Sequence, residues 1–95
     1  IELKTGADGE RHFCQVEVFF SMNTEHKDYK KYGATIGDNE LILKSIVSEV
    51  VQEYTMDEAR ANQDEIRAEI LKCVQEKYGG SDFVFDVSFS DIIFQ

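Results

Sequence analysis

The residues able to do acid–base, nucleophilic or metal chemistry are few and scattered. Histidine occurs twice, as His12 and His26, and cysteine twice, as Cys14 and Cys73. Nucleophilic catalysis needs a base within hydrogen-bond reach of the nucleophile, and neither histidine has a cysteine or serine beside it in a motif context. His12 stands at a strand start and reads as an edge-of-core residue, while His26 lies in a polar loop and reads as solvated. Cys-His catalysis through Cys14 stays open, since the partners need only meet in space. A cysteine in the middle of a strand's apolar face is, however, ordinarily buried and inert. Rapid labelling of either thiol in the folded state would be the sign of a cysteine-dependent enzyme.

Metal ligation has no better support. The chain has no C-x-x-C, no H-E-x-x-H and no EF-hand loop. The run Gly6-Ala7-Asp8-Gly9-Glu10 offers two carboxylates without the ligand order of a calcium loop, so it reads as a hairpin turn. Carboxylates crowd the stretch from Asp57 to Glu76, but acid–base work needs one of a pair desolvated. Here they alternate with Arg60, Arg67, Lys72 and Lys77 at helical spacing, the pattern of a solvated face. Gly79-Gly80 follows a helix, where a phosphate cradle precedes one. The expectation is a chain with no catalytic, metal or cofactor-binding residues.

The elements themselves are clearer. Thr55-Met56-Asp57-Glu58 has the spacing of a capping box, in which the threonine hydroxyl accepts from the Glu58 N–H and the glutamate reaches back. It opens a charged helix with Ile66, Ile70, Cys73 and Val74 on one face, stopped by Gly79-Gly80. The period then changes from 3.6 to 2 along a strand from Val84 to Phe94. Its alternation slips at Asp91, which predicts a β-bulge near Ser90-Asp91. Ile1, Leu3 and Thr5 alternate as a short strand, and Arg11 to Met22 reads as a long one across the Gly6–Glu10 turn.

In the middle of the chain, Asn23 or Thr24 can cap a short helix ended by Gly33. Asp38 or Asn39 can cap a second over Leu41 to Tyr54, with Ile42, Leu43, Ile46, Val47, Val50 and Tyr54 on its apolar face. The order β-β-α-α-α-β describes one α+β domain over residues 1–95, a small, mostly antiparallel three-stranded sheet packed against two or three helices.

Composition narrows the partners. At 95 residues with 42% hydrophobic and 12% aromatic content the chain can bury one modest core. A formal net charge of −9 lacks the lysine and arginine footprint that nucleic acid requires, and does not suit electrostatic docking on anionic lipid. Two cysteines do not make a disulfide framework. They read as buried thiols, with a Cys14–Cys73 bridge as the alternative. No run is long enough to cross a membrane, and the opening at Ile1, in mid-strand, is what the folded part of a longer protein would show. What remains is surface. Phe13 and Phe19 fall on the sheet face opposite the helices, to which the last strand adds Ile93 or Val84. There they either form a partner-binding patch or lie under a loop or the first short helix, and the open sheet edge can pair with a neighbour or be covered by a preceding segment.

In order along the chain these pieces resemble the extracytoplasmic domain of the flagellar basal body-associated FliL family. Arg11-His12-Phe13-Cys14-Gln15-Val16-Glu17-Val18 is similar to its "R-x-x-x-V-x-V" strand. Asn39 to Tyr54 is similar to its amphipathic helix, and Ile66-Arg67-Ala68-Glu69-Ile70 to its L/I-R-x-E-I core. The tail, Val87-Ser88-Phe89-Ser90-Asp91-Ile92-Ile93-Phe94-Gln95, is similar to "V-x-F-T-x-F-V-I-Q" down to the glutamine. Asn39, Ala59, Ile92, Phe94 and the loop at Tyr29–Gly37 depart from the pattern. The resemblance implies a stomatin/SPFH-like fold on the periplasmic side of the bacterial cytoplasmic membrane, tethered by one N-terminal transmembrane helix before Ile1. It implies rings around the flagellar stator proteins MotA/MotB, where a non-enzymatic scaffold supports motor torque and motility by holding the stator's periplasmic plug or linker. It transfers no catalytic residues. The alternative is a small ligand- or peptide-binding α+β module unrelated to flagella, with a groove between helix and sheet.

Overall fold

A computed structural model describes residues 1–95, apart from the side chain of Ala34. The first strand, β1 (Cys14–Met22), pairs antiparallel with the last, β2 (Val84–Phe94). Between them lie α1 (Lys27–Tyr32), a 3-10 stretch (Gly33–Asn39), α2 (Glu40–Val51), α3 (Met56–Ala61) and α4 (Gln63–Lys77). The α+β class holds, but the sheet has two strands where three are expected, and four helices replace two or three.

The third strand is cut short by its own backbone. Ile1 and Cys14 exchange main-chain bonds, the Ile1 amine donating at 2.9 Å and the Cys14 N–H at 2.7 Å. The Leu3 N–H donates to the His12 carbonyl at 2.8 Å, and one bridge forms, Glu2 opposite Phe13. The ladder ends there, and the Lys4 N–H, which alternation turns to the other side, bonds the Tyr54 carbonyl at 2.9 Å. A segment that leaves the ladder after one bridge is not a strand, and β1 accordingly starts at Cys14 rather than Arg11.

The capping box forms as its spacing demands. The Glu58 N–H donates to Thr55 Oγ1 at 3.2 Å, and the Thr55 N–H to Glu58 Oε1 at 3.0 Å. Thr55→Ala should cost about 1 kcal/mol, lowering Tm by roughly 4–8 °C with an unchanged circular dichroism spectrum at 20 °C; an unaltered Tm would mean the box does not hold the joint. The single helix expected after it is broken at Asn62 (φ −122°, ψ 37°), whose backbone and side-chain N–H groups both donate to the Glu58 carbonyl at 2.9 Å. An asparagine that bonds the backbone locally competes with helix continuation, so α3 ends and α4 restarts. At the far end, Gly80 N–H donates to the Gln75 carbonyl at 2.8 Å and Gly79 N–H to Glu76 at 3.2 Å, a Schellman motif. It needs the positive φ of 72° that Gly79 supplies without a Cβ clash.

The core is built from α4 outward. Ile66, Ile70 and Val74 repeat every four residues and are buried against Val84 and Val87 of β2. On its other flank α4 meets α2, which buries Leu43, Val47, Val50 and Val51. Ile42, expected on that face, is exposed, as is Leu41. Each buried aliphatic side chain contributes about 1.5–3 kcal/mol. A smaller aromatic cluster, Tyr32, Tyr78 and Phe83, closes the α1 end with ring centroids 5.2–5.8 Å apart.

The register of the strands carries two irregularities, both on β2. Gln15 faces Ile93 and Glu17 faces Ser90, so Asp91 and Ile92 together oppose Val16. Asp91 takes φ +53°, which an aspartate tolerates better than most residues. This is the bulge that the broken alternation predicts. The second shift, between Ser21 and Met22, leaves Phe85 without an opposite residue.

Candidate functional site

Two surfaces and two polar clusters are the places where the fold can act on something else. The first surface is the sheet face away from the helices. Along a strand successive side chains alternate faces, and the odd residues of β1 point outward. Phe13 is 41% exposed, Phe19 53% and Ile93 47%, so all three expected residues lie on solvent. They do not form one patch. Ile93 is opposite Gln15 and Gln95 opposite Phe13, which puts Phe13 and Ile93 diagonally adjacent at one end. Phe19 sits opposite Ser88, about 20 Å further along the strand. Val84 is fully buried in the core and leaves this set. Phe85, 55% exposed, enters the list of exposed aromatics; its parity places it inward until the bulge beside it is counted. Arg11 lies 5.7 Å from the Phe13 ring centroid and forks onto Glu2 at 2.7 and 3.2 Å, so its charge beside the ring is already paired.

The second surface is a groove of about 830 Å³ on the helix side. Its floor is Val16, Val18, Phe20 and Met22, and its wall is Leu43 and Val47 of α2. Such a volume is in the range of small-ligand sites, and it matches the helix–sheet groove of the binding-module alternative. Nothing in the spacing of the chain announces it, because it follows from α2 packing on α4 rather than on β1.

The first polar cluster closes the sheet end. His12 Nε2 is 2.8 Å from Asp8 Oδ2 and its Nδ1 is 3.2 Å from the Gln95 carbonyl oxygen. Ligand atoms of Asp8, Glu10 and His12 lie within 4.8 Å of one another, a grouping missed in reading the turn. Asp8 is already engaged at both oxygens, since its Oδ1 also accepts from the Glu10 N–H at 3.0 Å. The hydrogen bond to Asp8 raises the His12 pKa, helped by the Gln95 carbonyl and opposed by desolvation. The same bond, with that from Glu10, lowers the Asp8 pKa.

The signs set a window. A raised histidine contributes below its unfolded pKa, about 6.5, and fades as pH rises through the folded value. A lowered aspartate contributes above about 3.9 and fades as pH falls through its folded value. The pair therefore steadies the turn most between about pH 4 and 6.5. An NMR titration should place the His12 midpoint above that of an unfolded histidine, and Asp8→Asn should bring it back; an unchanged midpoint in the variant would remove Asp8 as the cause.

The second cluster corrects the reading of His26, which is not solvated. It is half-buried and caps α1, its Nδ1 accepting from the Asp28 N–H at 3.0 Å. That leaves the proton on Nε2, which donates to Asp82 Oδ1 at 2.8 Å. Ser81 Oγ donates to Asp28 Oδ2 at 2.6 Å. The serine is thus turned to a carboxylate and away from the imidazole, so the group ties α1 to the start of β2.

Cys14 and Cys73 are both free thiols. Burial pushes the Cys14 thiol up, and burial with the Glu76 and Glu69 carboxylates pushes up that of Cys73. At pH 7.5 a thiol reagent should label Cys14 many-fold more slowly in the folded chain than in urea; comparable rates would revive the nucleophile. Tyr54 donates to Glu69 Oε2 at 2.9 Å, and its phenol is pushed up to about 12, chiefly by desolvation. Compared with known proteins, the chain matches no family model and no curated sequence.

Proposed function

We propose that this chain is a non-catalytic scaffold of the flagellar FliL type, with a stomatin/SPFH-like fold, acting outside the bacterial cytoplasmic membrane on the stator proteins MotA/MotB. The observation that carries the reading is the pairing of its two most family-like segments. The "R-x-x-x-V-x-V" strand and the terminal tail are the two strands of the sheet, and Gln95 exchanges both backbone bonds with Phe13, at 2.9 and 2.8 Å. The two segments that carry the resemblance are thus joined in one ladder, which supports it beyond matching letters. The action is mechanical. Copies tethered to one membrane assemble into a ring, because tethering raises their effective concentration, and the ring holds the stator's periplasmic plug or linker in its active arrangement. Phe13, Ile93 and Phe19 on the uncovered sheet face are the contact residues.

Co-purification of the membrane-anchored, full-length protein with the stator from gently solubilised cells tests this. Wild type should recover stator proteins and the Phe13→Ala/Phe19→Ala double variant should lose them. Recovery with both would move the contact off the sheet face. Stator absent from both, with clean expression, would overturn the flagellar reading.

A further inference from the structure

We infer that the open edge of β1 above the α2 groove is a strand-addition site for an extended peptide with apolar residues at alternate positions and basic residues between them. The argument starts from the ladder. Phe13 bonds Gln95, and the Asn23 N–H bonds the Phe83 carbonyl at 2.6 Å, so the odd residues of this strand spend their main-chain groups on β2. Cys14 turns its N–H and carbonyl the other way, to Ile1. The same alternation directs the N–H and carbonyl groups of Val16, Val18 and Phe20 to the side away from β2. Among the described residues no other element bonds to them.

An unpaired edge of this kind is a template for another strand. What makes this edge a site is the helix layer above it. α4 covers β2 and α2 lies beside α4, so the helices extend sideways beyond the two-stranded sheet. The space beneath α2, where a third strand would lie, is the groove. From Val16 to Met22 it is about 20 Å long, room for six or seven extended residues.

The occupant's direction and pattern follow from the bridge already present. Ile1 and Glu2 run antiparallel to β1, and Ile1 helps to line the mouth of the groove. A bound strand continues that ladder. In Ile1 opposite Cys14 the residue that exchanges main-chain bonds also turns its side chain inward with the buried cysteine. Every second peptide residue therefore both bonds β1 and fills the apolar floor, and these must be aliphatic. The intervening ones turn to the outer face beside Glu17, while on the helix side Glu40 and Lys44 engage each other at 3.3 Å. With a net charge of −9 behind it, that outer face favours lysine or arginine over acid. The same charge disfavours a second copy of this chain.

The probe is acetyl-Lys-Val-Lys-Val-Lys-Val-Lys-amide, titrated into the ¹⁵N-labelled chain at moderate salt. Amide signals of Val16, Val18 and Phe20 should shift and gain protection from exchange. N-methylation of the valines should weaken binding about tenfold or more through the lost edge bonds, whereas N-methylation of the lysines should leave it nearly unchanged. Any of three results overturns the proposal: no shift at millimolar peptide, an equal response to a block-sequence peptide of the same composition, or shifts confined to the Phe13 and Ile93 face. Concentration-dependent protection of the same three amides without peptide would assign the edge to a second copy and overturn it as well. None of these outcomes depends on the flagellar reading.

Discussion

Phe83→Ala should unfold this domain under conditions where most single substitutions do not. Phe83 is fully buried at the start of β2 and touches two other aromatic rings, Tyr78 edge-on at 5.3 Å and Tyr32 stacked at 5.8 Å. Truncating a buried phenylalanine costs about 3–5 kcal/mol through lost transfer energy and the cavity left behind. A domain of this size has about 5–15 kcal/mol in total. The loss spreads beyond β2, because the ring is also what α1 packs on, and the Phe83 carbonyl accepts from Asn23. Urea unfolding followed by circular dichroism should show the midpoint reduced by a third or more with the slope preserved. A reduction below about 1 kcal/mol would mean that the cluster collapses onto the gap and that α1 is held by the His26 and Ser81 bonds instead.

The neighbouring ring predicts the opposite sign. Tyr78 is buried, and among the described residues its hydroxyl has no hydrogen-bond partner. A buried polar group without a partner costs about 1–3 kcal/mol. Tyr78→Phe removes that hydroxyl and keeps the ring against Tyr32 and Phe83, so it should raise stability by about 1–2 kcal/mol. For a domain of this length the gain is roughly 4–16 °C in Tm. Calorimetry of the two proteins at pH 7 decides it, and a lowered Tm would show that the hydroxyl is satisfied in solution. Combining the substitution with Phe83→Ala should give a non-additive result, since residues in direct contact share the same cavity.

How far the fold was legible depended on whether a signal was local. The capping box is a four-residue pattern and formed as written. The bulge was legible because Asp91 breaks a period-2 run, and only an extra residue reconciles Ile92 and Phe94 with the inward face. The break at Asn62 is a single side chain turning on Glu58, in a window whose average propensity is helical. The first strand failed because it makes one bridge and then leaves β1, its Lys4 N–H bonding Tyr54, a residue it does not neighbour in sequence. His26 was misread because Asp82 becomes its neighbour only when the chain closes, and because the cap on the Asp28 N–H was sought at Asn23 or Thr24. Of the candidate surfaces, the outward placement of Phe13, Phe19 and Ile93 follows from alternation. Their separation into two ends, the exposure of Phe85 and the groove under α2 depend on register and on helix packing, which alternation does not contain.

The pairing of the first strand with the last has a consequence for how the protein is made. β1 is synthesised early and its only long partner, β2, closes the sequence described here. At about 5–20 residues per second on the ribosome, β1 waits on the order of ten seconds without a ladder on either side. During that interval both of its edges are apolar templates, and α4 has no sheet to cover. Folding is therefore delayed until the tail emerges, and its rate is governed by one long loop closure rather than by the helices. A chain cut before β2 would have no ladder to close, and helices of 6–15 residues are marginal in water without packing.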